Sequence, residues 1–131
     1  MEILQPAHWP RPKGYANGVV SRGRTVFVSG MVGWDEQGKF VSGDFAAQTR
    51  QALLNVIAVL AEAKVKPEHI VRMTWYVVDK KEYVAAGKQI GAAYREIIGN
   101  HYPAMSVVQV VALVEDEARV EIEVTAMAPD L

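Results

Sequence analysis

The spacing of apolar residues along the chain switches between a period of two and a period of three to four, and each switch marks a predicted element. Gly18–Ser21 and Arg24–Gly30 are short β-branched runs separated by Arg22-Gly23, a pattern that predicts a β-hairpin. Ahead of them, Pro6, Pro10 and Pro12 each fix φ and push the preceding residue away from helix, so residues 1–13 are expected to form an extended arm. Behind them, Met31–Gly43 carries three glycines and the cluster Asp35-Glu36-Gln37-Gly38, a turn-rich connection with room for a short strand near Phe40.

Asp44–Lys64 places Phe45, Thr49, Ala52, Leu53, Val56, Ile57, Leu60 and Ala63 three or four apart, the stripe of an amphipathic helix. A first-turn Asp44 suits its dipole. Pro67-Glu68 predicts a short capped turn, and Ile70–Val78 then alternates Val71, Met73, Trp75 and Val77 against Arg72, Thr74 and Tyr76 as a strand does. A second helix is predicted over Lys81–Ile98, where Val84, Gly87, Ile90, Gly91, Tyr94, Ile97 and Ile98 share a stripe that stops at Gly99-Asn100. Gly87 and Gly91, four apart on it, suggest close packing against a sheet. Two strands close the chain, Met105–Leu113 and Arg119–Ala128, joined by the acidic turn Glu115-Asp116-Glu117. The first is apolar on both faces; the second turns Val120, Ile122, Val124 and Ala126 one way and Arg119, Glu121, Glu123 and Thr125 the other.

The order ββαβαββ predicts an α+β fold with a mixed sheet of five or six strands and two helices on one of its faces. Two helices leave the other face of the sheet bare. With no third helix in the pattern, a sister subunit is the expected cover, which implies a homo-oligomer packed sheet to sheet.

Composition narrows the function. The 131 residues fit a single domain over 1–131, and 14 basic against 15 acidic side chains give a net charge of −1. Binding to nucleic acid or to an anionic membrane through bulk charge is disfavoured by that balance. The absence of cysteine removes thiol nucleophiles and thiolate metal sites, and His8, His69 and His101 show no ligand spacing, so neither a metal nor a cofactor is expected. The first dozen residues lack the basic-then-apolar run of a signal peptide or membrane span, and a cytoplasmic protein is the ordinary expectation.

Four motifs in order carry a resemblance: Val28-Ser29-Gly30, then Gln48 to Val56 on the first helix, then Tyr102-Pro103-Ala104-Met105-Ser106, then Val120-Glu121-Ile122-Glu123. They resemble the Rid family of reactive intermediate deaminases, also grouped as YjgF, YER057c and UK114, over Tyr15 to Ala128. The resemblance implies a chorismate-mutase-like ββαβαββ subunit, a homotrimer with a central barrel, and active-site clefts at the subunit interfaces. In activity it implies hydrolysis of enamines and imines, such as 2-aminoacrylate, to a keto acid and ammonia. Other members carry the labels translation inhibitor with endoribonuclease activity, or 2-aminomuconate deaminase.

Carried over residue by residue, Glu121 matches the family glutamate that holds and activates the attacking water, a group imine hydrolysis needs because water must lose a proton while nitrogen gains one. Period-two alternation alone leaves Glu121 an outward strand carboxylate like Glu123. Tyr15 matches a tyrosine of the cleft-closing N-terminal loop, although the family's Gly-Pro-Tyr is Lys13-Gly14-Tyr15 here. Ser29 and Gly30 match the pair whose backbone lines the site, and glycine permits close ligand approach. The departures are Met31, where glutamine is common, and Met105, where the deaminase branch has an arginine that grips the substrate carboxylate. A thioether makes no such pair.

Met31, Trp34 and Met105 suggest a more apolar pocket for a longer or flatter ligand, with Arg11, Lys13 or His101 as candidate replacement cations; equally, the three apolar residues fill core. The leading expectation is an ammonia-releasing deaminase with a conjugated substrate resembling 2-aminomuconate. The alternative is a trimer that binds small metabolites without turnover. A ribonuclease has only the family label behind it, since the sequence shows no basic track with interleaved aromatics.

Overall fold

The computed structural model describes residues 1–130. In chain order the elements are β1 (Glu2–Leu4), β2 (Gly18–Val20), β3 (Arg24–Met31), α1 (Phe45–Glu62), a 3-10 turn (Pro67–His69), β4 (Ile70–Val77), α2 (Lys80–Ala85), α3 (Gly87–Ile97), β5 (Ala104–Gln109) and β6 (Val120–Ala128). Four strands form one mixed sheet in the order β3-β6-β4-β5, antiparallel except for the parallel pair β4 and β5. The architecture is the α+β, chorismate-mutase-like one expected, with its helices on one face, but the main sheet has four strands rather than five or six, because β1 and β2 form a sheet of their own.

The predicted hairpin does not form. β2 pairs with β1, Glu2 opposite Val20, while β3 pairs with β6, Arg24 opposite Ala128, so the two runs belong to different sheets. The turn between them serves the crossing: Gly23 has φ of +137°, and a Cβ there would lie 3.1 Å from the Ala128 carbonyl carbon. Only glycine fits such an approach. The extended arm is accordingly tied down at its start, because β1 lies within it.

Helix α1 follows its apolar stripe, burying Phe45, Thr49, Ala52, Leu53, Val56 and Leu60. Asp44 is its N-cap rather than a first-turn residue, and its carboxylate accepts from the Ala47 N–H at 2.9 Å. The helix also buries Gln48 completely. That side chain donates to the carbonyls of Ser42 (2.9 Å) and Glu117 (3.0 Å) and accepts from the Arg119 N–H (2.8 Å), which satisfies it and ties the start of β6 to α1. One turn pair further on, Asn55 donates to the carbonyls of Val32 (2.9 Å) and Trp34 (2.8 Å), fixing the exit of β3. Gly33 lets the exit of β3 lie against α1, since a Cβ there would come within 2.6 Å of Gln48 Cα.

The second predicted helix is two. Ala86 ends α2 and begins α3, and the break falls where Gly87 removes side-chain restriction from the backbone. Nor do its glycines press on the sheet. A Cβ at Gly87 would meet nothing within 4 Å, and one at Gly91 would meet only the Arg95 guanidinium.

The last two strands also differ from expectation. β5 ends at Gln109, because β4 stops at Val77 and offers no partner beyond it, so Val111 and Val114 lie in an exposed connection. The doubly apolar strand therefore does not run to Leu113. The helix-facing side of the sheet is the core: Val28, Met73, Trp75, Val77, Val120, Ile122, Val124 and Ala126 are buried together with α1 and α3. The outer face is largely polar, with Arg72, Thr74, Tyr76, Glu121, Glu123 and Thr125, and its bare apolar side chains are Phe27, 77% exposed, and Val108.

Candidate active site

The candidate residues fall into two groups at opposite edges of the four-stranded sheet. On edge strand β3, the pairing with β6 shifts register between Val28 and Met31, leaving Ser29 and Gly30 in a bulge. Bulges re-aim what lies beside them. Here the neighbour is Glu121, half-buried on the outer face of β6, whose carboxyl carbon would lie 2.6 Å from a Cβ at Gly30. Glycine at position 30 is thus what gives the carboxylate its niche.

Tyr76 on β4 stands in register with Glu121, but its hydroxyl donates to Glu123 Oε1 at 2.6 Å. That bond holds the phenol above its ordinary pKa. The two glutamates therefore differ: Glu123 is engaged by Tyr76, and Glu121 faces Gly30. Ser29 lines an outer groove with Phe27, Arg72, Thr74 and Glu123.

The second group sits at edge strand β5. Met73 pairs with Met105, and both belong to the helix-facing side of the sheet. Beside Met105 opens a cleft of about 460 Å³ between α2, α3 and the sheet, walled by Trp75, Tyr83, Tyr94 and Tyr102. Tyr94 and Tyr102 stack 5.5 Å apart, and Tyr83 meets Trp75 edge-on at 6.2 Å. The arm reaches this edge too, because the Ala16 N–H donates to the Pro103 carbonyl at 2.9 Å and Ala16 bridges Ala104. Gly14 thereby lines the cleft, while the neighbouring Tyr15 is 42% exposed.

Within one chain Met105 is not brought together with Ser29, Gly30 and Glu121. Three strand spacings, about 14 Å, separate the edges, and the two groups use opposite faces. Met31 and Trp34 do not share the Met105 cleft either. Met31 packs partly against the core, and Trp34 meets Phe40 at 5.8 Å in a small turn held by the Asp35 carboxylate.

Of the candidate cations, His101 is committed elsewhere: its Nε2–H donates to the Ile70 carbonyl at 2.7 Å, and its own carbonyl accepts from the Tyr94 hydroxyl at 2.6 Å. Arg11 and Lys13 are exposed on the arm, and neither lines the cleft. The cation that does is Arg95, which sequence reasoning missed. Its signal was present, since Arg95 continues the spacing Gly87, Gly91 by four more residues.

Comparison with known proteins decides the family. The family model described as Endoribonuclease L-PSP matches residues 8–128. The chain belongs to this family, the YjgF/UK114 or Rid group. Among its relatives is a human protein named 2-iminobutanoate/2-iminopropanoate deaminase, 29% identical over 95% of this chain and 88% of that one. A Rid-family protein of Yersinia pestis, YyfB, is similar in structure with a TM-score of 0.83, 34% identity, and 97% and 98% of the two chains covered. Escherichia coli TdcF, solved with bound serine, has a TM-score of 0.71 at 29% identity over 98% of each chain. In this Rid chain, no helix among the described residues is long and apolar enough to cross a membrane.

Proposed function

We propose that this Rid protein hydrolyses enamines and imines with release of ammonia, and that Glu121 orients and deprotonates the attacking water. The observation that carries the reading is the Glu121 carboxylate lodged in the niche left by Gly30 at the bulge of β3. The human relative named 2-iminobutanoate/2-iminopropanoate deaminase supports the same reaction class. An enamine first takes a proton at carbon to become an iminium. Water then adds to the iminium carbon as Glu121 accepts one of its protons. Glu121 passes that proton to nitrogen, and the C–N bond breaks to release ammonia while the hydroxyl loses its remaining proton to Glu121 or solvent and becomes the carbonyl.

The two edge groups suggest where the substrate sits. If β3 of one copy meets β5 of the next in a closed ring, the Ser29-Gly30 bulge of one chain, with Glu121 behind it, abuts the Met105 edge and Tyr15 of another. A homotrimer built this way has its sites at the interfaces and needs no further element to complete them. The aromatic cleft favours a conjugated substrate such as 2-aminomuconate over 2-aminoacrylate. RNA is disfavoured by the near-neutral charge.

The test is ammonia release from freshly generated 2-aminoacrylate and 2-aminomuconate by wild type and Glu121→Gln. Release from the conjugated substrate that depends on Glu121 is expected. Release from neither points to the second reading, a trimer that binds small acids without turnover, which the methionine at position 105 favours.

A further inference from the structure

We infer that Arg95 is the carboxylate grip of the Met105 cleft, and that the cleft takes a flat, unsaturated carboxylic acid; the assignment rests on the substrate site proposed above. Four aromatic rings, from Trp75, Tyr83, Tyr94 and Tyr102, wall the cleft, and planar π-systems are what such walls receive best. Arg95 is the one cationic side chain on its lining. Among the described residues Arg50 is bonded to Glu96 and Arg119 to Glu82, while Arg95, like Arg11, Arg22, Arg24 and Arg72, makes no ion pair; of these unpaired guanidinium groups only that of Arg95 lines the aromatic cleft. A guanidinium with no carboxylate partner, beside an apolar wall, is free to pair with a carboxylate that enters the cleft.

Its placement is built. Gly91, one helical turn before Arg95, carries no side chain, and the guanidinium Nη1 lies 3.2 Å from the point a Cβ there would occupy. The guanidinium is therefore folded back along α3 into the space over Gly91, and Gly91 and Gly87 line the cleft with it. A larger residue at 91 would crowd the guanidinium. The cation thus enters from the helix wall and not from the sheet position held by Met105, which leaves the floor apolar and the acid group displaced toward α3. A small imino acid cannot fill such a site, whereas a longer conjugated acid spans from Arg95 to the rings.

The experiment uses trans,trans-muconate as the probe, a flat diacid with no C=N bond, and measures equilibrium binding to the purified full-length protein in its native assembly by calorimetry. Arg95→Gln is expected to weaken muconate binding roughly ten- to a hundredfold, and Arg95→Lys to recover part of the loss. Binding of dimethyl muconate, which has no charge to grip, should not respond to either change. Arg95 is exposed, so both Arg95 variants should melt with the wild type. Met105→Trp, which fills the floor of the cleft, should abolish binding of both probes. Equal muconate affinity in wild type and Arg95→Gln, muconate binding that survives Met105→Trp, or no muconate binding by wild type would each overturn the assignment. Arg95-dependent binding without ammonia release from any enamine would sink the deaminase reading and leave the Arg95 assignment standing.

Discussion

Gly30 and Glu121 are paired by an absence: the carboxyl carbon of Glu121 would lie 2.6 Å from a Cβ at position 30. Gly30→Ala should therefore evict the carboxylate while leaving it chemically intact. If Glu121 positions water, the loss in kcat should match that of Glu121→Gln, on the order of 10²–10⁴. The double variant should be no worse than either single one, since both disable one group. Steady-state ammonia release by the three variants checks this, and additive losses would separate Gly30 from Glu121.

Gln48 makes a stability prediction independent of function. Its fully buried amide makes three hydrogen bonds, to Ser42, Glu117 and Arg119. Gln48→Ala strands those backbone groups and opens a void, which should cost on the order of 3 kcal/mol in urea unfolding. Gln89→Ala, an exposed change on α3, should stay within about 0.5 kcal/mol.

These two residues mark what the sequence makes legible. The stripe of α1 and the alternation of β4 and β6 are local signals, and the elements follow them within a residue or two. The partner of β2 is not a local matter. Val19 and Val20 lie beside Gly23 in sequence, but their backbone groups are satisfied by the arm at Glu2–Leu4, which proline content alone marked as merely extended. Gln48 belongs to a recognisable motif, yet its partners lie up to 71 residues away, so its structural role has no sequence period. Glu121, Ser29 and Gly30 were legible by resemblance. Arg95 stands one further four-residue step beyond Gly87 and Gly91, but an exposed charge on a helix is ordinarily a solvated one, and only the cleft beside it gives that spacing a meaning.

Alkaline conditions should weaken the fold through its tyrosines. Burial first, and the neighbouring Tyr102 second, push Tyr94 above its ordinary value, and burial raises Tyr83. Each stays neutral in the fold at a pH where the unfolded chain ionises, near 10. Their stabilisation is thus complete below about pH 10 and declines as pH rises above it. Urea midpoints between about pH 8 and pH 11.5 should fall, and fall less steeply in Tyr94→Phe. That variant should start lower by about 1 kcal/mol, having lost the bond to the His101 carbonyl.

Phe27 tests the assembly. It is 77% exposed on the polar outer face, so the single-chain fold does not need it. Phe27→Lys should shift light-scattering mass from three chains toward one while far-UV circular dichroism is retained. Wild-type protein that scatters as a single chain at micromolar concentration would remove the interfacial site altogether.

The last prediction sets Met105 against Arg95. Met105→Arg places a guanidinium on the cleft floor, beside Trp75 and Tyr102, where a short imino acid can reach it. A charge-assisted pair of this kind contributes on the order of 1.5–3 kcal/mol, so hydrolysis of 2-aminoacrylate should rise by roughly ten- to a hundredfold if the contact holds in the transition state. The same change puts two cations on one cleft. Repulsion between them, and the volume lost to the new side chain, should weaken muconate binding, or leave it at most unchanged where the second carboxylate finds the new arginine. The double variant Met105→Arg/Arg95→Gln separates the effects, because it removes the repulsion and keeps the floor cation. It should retain the gain on 2-aminoacrylate, and whatever muconate binding it keeps should come from the floor arginine alone. Strong 2-aminoacrylate turnover already in wild type, unchanged by Met105→Arg but lost in Arg95→Gln, would mean that Arg95 reaches small acids as well, and that the methionine floor does not set chain length.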